Sequence, residues 1–147
     1  MDRKIELITQ KLFRVKENMK KIKFIIENSD ITFELIQKAS VLARKNEYHN
    51  FGHEIGATEQ GIRIAIAEGR SREEINLIAT ALLFHDAGHI GIVRWYDEIN
   101  SVNLTRSALS ADDTYIIGSN HEAVMDNMQN LILATSLNKL KKRPKRQ

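Results

Sequence analysis

The residues best suited to chemistry are the five histidines, His49, His53, His85, His89 and His121. They fall into two pairs at i, i+4 spacing and a single ring inside Asn120-His121-Glu122. The central stretch is Ala81-Leu82-Leu83-Phe84-His85-Asp86-Ala87-Gly88-His89-Ile90-Gly91. An apolar run delivers His85 and Asp86 side by side, and His89 follows one helical turn later. If the helix continues through this stretch, His85 and His89 share a face. Desolvating a carboxylate costs several kcal/mol unless a positive charge sits beside it. A divalent cation meets that need. A lone histidine is better read as a hydrogen-bonded or exposed residue. Five that group as HNxxH, HDxxH and NHE are better read as one metal-centred site.

The chain has no cysteine, so disulfides and thiolate zinc sites are excluded. Any metal is held by imidazole and oxygen. That donor set suits zinc, manganese or iron, and magnesium on the oxygen side.

In their order along the chain, Tyr48-His49-Asn50-x-x-His53, Phe84-His85-Asp86-x-x-His89-x-Gly91 and Asn120-His121 resemble the HD superfamily of metal-dependent phosphohydrolases. Within it the sequence is most similar to the catalytic core of class I cyclic nucleotide phosphodiesterases. The resemblance covers about residues 45 to 136. It implies an all-α HD-domain helical bundle that hydrolyses a nucleotide or other small phosphoester with one or two divalent metal ions. His53, His85 and Asp86 match family metal ligands, with Asp86 as the bridging carboxylate. His49 matches the general acid. His89 matches a position that contacts metal-bound water, and His121 matches a further ligand position. The final family landmark, an apolar segment ending in a metal-binding Asp, is met by Ile132-Leu133-Ala134-Thr135-Ser136. Ser136 therefore stands where the family places a carboxylate. A single weaker metal is one consequence. A substitute carboxylate from Asp112, Glu122 or Asp126 is another. A degenerate HD-like sensor or interaction module is the third. The chain ends 11 residues after Ser136, short of the segment that clamps the purine in eukaryotic cyclic nucleotide phosphodiesterases. The resemblance accordingly does not point to cyclic AMP or cyclic GMP as substrate.

The elements that must position these groups are helical. One Pro, seven Gly and many Ile, Leu and Ala in 147 residues favour a single all-α domain. Ile5, Ile8, Leu12, Val15, Met19, Ile22 and Ile26 recur at alternating gaps of three and four. That is an a/d repeat bordered by Lys and Glu. The spacing predicts a helix over residues 3–27. Leu7, Phe13, Phe24 and Ile25 widen its apolar face and favour packing on its own domain. The other reading is a coiled coil that forms a homodimer, or the end of a longer signalling helix. Residues 28–138 form the expected catalytic domain. A second helix starts after Asn28-Ser29-Asp30 with Ile31, Leu35, Ala39 and Leu42 inward and ends at Asn46-Glu47. A third carries Ile55, Ile62 and Ile66 inward and closes at Gly69. Ser71-Arg72-Glu73-Glu74 is a capping box for a helix over residues 73–86. Its face is Ile75, Ile78, Ala79, Leu82 and Leu83, and it is apolar nearly all round from Ala79, as a central helix would be. Ile92 to Leu104 shows no clear period, and Trp95 and Tyr96 read as packing residues. Asp112 and Asp113 read as first-turn acids of a helix through Tyr115, Ile116, His121 and Met125. Residues 129–140 read as the last helix.

The net charge is +3, but six positive charges lie in residues 139–147, which hold no acid, so the remainder carries −3. The basic tail reads as a solvated end, with nucleic-acid binding the weaker reading. No apolar run reaches the ~18 residues that span a bilayer. Met1-Asp2-Arg3-Lys4 lacks a signal-peptide pattern. The expectation is a cytoplasmic protein that does not engage a membrane.

Overall fold

The structure is a computed structural model that describes residues 2–42, 51–85, 96–113 and 120–141. The fold is all-α. Among the described residues the main helices are α1 (Arg3–Asn28), α2 (Phe33–Leu42), α3 (Phe51–Ala67), α4 (Arg72–Phe84), α5 (Tyr96–Ala108) and α6 (His121–Lys141). No strand occurs among the described residues. Residues 43–50, 86–95, 114–119 and 142–147 lie outside the described set. So do the expected end of the second helix at Asn46-Glu47, the Gly88 and Gly91 positions, Trp95, Tyr115, Ile116 and most of the basic tail.

Helix α4 is the centre of the bundle, as its composition predicts. It packs on α2, α3, α5 and α6. Its start is fixed by the capping box: the Ser71 hydroxyl accepts from Glu74 N–H at 3.2 Å, and Ser71 N–H donates back to the Glu74 carboxylate at 3.2 Å. The Ser71 N–H, and after it the Ser71 hydroxyl, which also donates to the Glu74 carboxylate at 3.1 Å, hold that carboxyl below its usual range. Ile75, Ala79, Leu83 and Phe84 are buried, while Ile78 and Leu82 are half-buried. Each large side chain so buried contributes about 1.5–3 kcal/mol. The helix ends at Phe84, with His85 as its C-cap, so a face shared by His85 and His89 lies outside the described residues.

Helix α3 runs antiparallel to α4. Gly61 permits the close approach, since a Cβ there would run into the Leu82 side chain. The inward stripe is Ile55, Thr58, Ile62 and Ala65. Ile66, expected inward, is exposed, because the stripe reaches the last turn at Ala65. Gly69 takes φ 71°. Gly69 N–H donates to Ile66 C=O and Arg70 N–H to Ala65 C=O, each at 3.0 Å, a Schellman close.

The link from α1 to α2 is tied to α4 by a polar clamp. Asp30 N–H donates to Asn76 Oδ1 at 2.8 Å, and Asn76 Nδ2 donates to Asp30 Oδ2 at 2.7 Å. Asn76 is buried, so these bonds offset its desolvation.

Helix α1 departs from the favoured expectation that it packs on its own domain. Ile5, Ile8, Leu12, Val15 and Met19 are all at least half exposed. Among the described residues the body is met at the C-terminal end, where Ile25 is buried, Ile22 and Phe24 pack against the core, and Arg63 stacks on the Phe24 ring at 4.0 Å. Ile25 flanks the a/d line and Phe24 lies beyond it, so the helix is anchored at this end while the line from Ile5 to Met19 stays exposed.

Two helices were poorly legible in the sequence. Helix α5 buries Ser101, Val102 and Thr105 on its inner side, and Leu109, just past its end, is buried as well. The Thr105 hydroxyl donates to Ser101 C=O at 2.6 Å, which lets a polar stripe enter the core. Helix α6 is continuous from His121, where separate helices through Met125 and over residues 129–140 were expected. Asn120 Oδ1 caps it by accepting Ala123 N–H at 3.0 Å. Val124, Met125, Met128 and Ile132 form its buried side.

Candidate metal centre

The start of α3 and the end of α4 meet, and each carries one histidine there. His53 sits in the first turn of α3 and His85 caps α4. Their ring centroids are 6.0 Å apart, tilted by 48°. The motif grouping implies that these two rings share a site. Their meeting follows from the antiparallel pairing that Gly61 allows.

His85 Nδ1 lies 2.6 Å from Leu82 C=O. A carbonyl only accepts, so Nδ1 carries the hydrogen. In the neutral ring the lone pair is then on Nε2, the arrangement that metal-binding histidines adopt when a backbone carbonyl orients them. Two imidazoles on one tetrahedral ion, with metal–nitrogen bonds of about 2.0–2.1 Å, would have centroids roughly 5 Å apart. The observed pair is about an ångström wider, within reach of side-chain adjustment. The donor chemistry and spacing of His53 and His85 thus fit a divalent ion.

The other expected site residues divide into two groups. His49, Asp86 and His89 lie outside the described residues. His121 is the first residue of α6 and is half-buried. Among the described residues no set of three His, Asp or Glu side chains is close enough to hold a metal, so His121 does not complete such a set with His53 and His85. Ser136 falls within the span of α6, and its side chain lies outside the described set.

The carboxylates considered as substitutes for Ser136 face solvent. Asp112 and Glu122 are exposed. Asp126 is also exposed and lies 3.6 Å from the Arg106 guanidinium. Asp113, adjacent to Asp112, bonds the Lys38 ammonium and the backbone N–H of Ser110. Burial pushes its carboxyl up, but the Lys38 bond and the Ser110 bonds outweigh that and hold it below the usual range. Its work is to tie α2 to the segment after α5.

The sequence reading missed Glu54. This carboxylate is 1 % exposed and follows His53 directly on α3. The available signal was its register: Glu54 precedes Ile55 on the inward side that runs on to Thr58 and Ile62. Glu54 is buried on this inward side while His53, its neighbour in sequence, is exposed.

No protein-family model matches the chain, and no curated protein or solved structure matches it significantly. Among the described residues, no helix is long and apolar enough to cross a membrane.

Proposed function

We propose that this chain is an HD-type metal-dependent phosphohydrolase acting on a nucleotide or other small phosphoester. The observation that carries the reading is the pair of rings 6.0 Å apart, with His85 oriented through Nδ1 by the Leu82 carbonyl. The motif order from His49 to His121 supplies the remaining roles. His53, His85 and Asp86 are the metal ligands of this reading; His121, which the motif order also puts forward, does not join His53 and His85 among the described residues. A bound divalent ion supplies an acidified water and positive charge for the phosphoryl oxygens. His49 donates the proton to the leaving oxygen, work that imidazoles commonly do as general acids. His89 orients water at the edge of the site.

The test is hydrolysis of bis(4-nitrophenyl) phosphate by the full chain with manganese. Turnover that falls at least about 100-fold in both His85→Ala and His49→Ala agrees with these roles. Unchanged turnover in His85→Ala contradicts them.

A second reading follows from Ser136. A neutral hydroxyl in place of a carboxylate removes one negative charge from the ligand set, and the domain then serves as a sensor or interaction module without hydrolysis. Ser136→Asp separates the two. Turnover gained only in that variant assigns the natural chain to the second reading.

A further inference from the structure

We infer that the outward face of α1 is a docking seam for an acidic amphipathic helix of a partner protein. The seam is Ile5, Leu12, Met19 and Ile26 at a positions, with Ile8, Val15 and Ile22 at d. Residues 2–16 are exposed throughout, so the first half of a 26-residue helix stands in water with its apolar line uncovered. A helix segment of this length gains little stability without a packed face. The line does not stop where α1 meets the body. Met19, Ile22 and Ile26 continue it into an apolar groove of about 290 Å³ whose far wall is Phe33 of α2, itself half exposed.

The margins of the seam select the occupant. Lys4 and Lys11 hold g positions, and Lys16 and Lys23 hold e positions; no acid stands at either. Lys23 pairs with Glu27 on its own helix at 3.9 Å. Lys4, Lys11 and Lys16 have no acidic partner among the described residues. Residues at e and g set the choice of partner in paired helices. A second copy in parallel sets Lys11 against Lys16, and an antiparallel copy sets lysine against lysine on both margins. Like charges so placed oppose pairing. A helix with Glu or Asp at e and g turns each of these contacts into an attraction. The strict 3.5-residue period and the absence of any aromatic residue in the line favour a helix over a lipid surface, whose in-plane helices carry Trp or Phe on the apolar face.

The probe is a synthetic four-heptad peptide with Ile and Leu at a and d and Glu at every e and g. Its counterpart carries Lys at e and g. Calorimetric titration of the full chain is expected to show one-to-one binding of the acidic peptide. Binding should be at least about tenfold tighter than for the basic one and should weaken as salt rises. Leu12→Asp should abolish binding without changing the thermal melt, because Leu12 is exposed. Lys11→Glu with Lys16→Glu should reverse the preference between peptides. Equal binding of both peptides overturns the proposal, as does binding of neither. A full-chain dimer in sedimentation that Leu12→Asp dissolves assigns the seam to a second copy and also overturns it. Binding to vesicles with about 30 % phosphatidylserine in place of the acidic peptide assigns it to lipid and has the same force.

Discussion

The Leu82 carbonyl decides which nitrogen of the neutral His85 ring holds the lone pair. That bond is invisible in the sequence, whereas the histidines themselves stand out by spacing. Glu54 shows the opposite limit: a charged letter next to a motif histidine reads as solvent-facing until the register of α3 places it inside. Asp113 gives a prediction at this scale. Its carboxyl lies below the usual range when folded. It therefore contributes stability above its unfolded value of about 3.9, and that contribution is lost as pH falls through the folded value. Asp113→Asn is expected to cost about 1 kcal/mol at pH 7. The deficit should shrink below about pH 4 in denaturant melts. A deficit independent of pH contradicts the Lys38 pairing as its source.

Among the elements, α3 and α4 were legible because their faces are apolar and their ends are signalled. The Ser71 capping box and the Gly69 close both formed as their residues imply. Helix α5 was not, because Ser101 and Thr105 enter the core without an apolar period, the Thr105 hydroxyl being satisfied by Ser101 C=O. The α3–α4 seam carries the second prediction. Gly61→Ala should change stability by less than about 1 kcal/mol, since the helix gains propensity while the tip of Leu82 turns aside. Gly61→Leu should cost about 1–3 kcal/mol by overpacking and should weaken metal binding, because α3 must move away from α4. Full stability and full metal content in Gly61→Leu would contradict the close approach that brings His53 to His85.

At the scale of the molecule, an all-α bundle around a central α4 was readable from composition and period. The direction of the α1 repeat was not, because a/d spacing fixes a stripe and leaves open what covers it. Phe24 and Ile25 anchor only the C-terminal turns of the helix and leave the line from Ile5 to Met19 exposed. Removing residues 2–16 should accordingly shift the Tm by less than about 2 °C. A loss of several degrees would mean that this stretch packs on the body after all. The central claim is that the bundle brings His53 and His85 together to hold a divalent ion. Elemental analysis of the purified full chain, before and after manganese loading, tests it most directly. The account predicts about one or two ions per chain, lost in His85→Ala with the fold intact by circular dichroism. Full metal content in His85→Ala, or none in the natural chain under any loading, would contradict it.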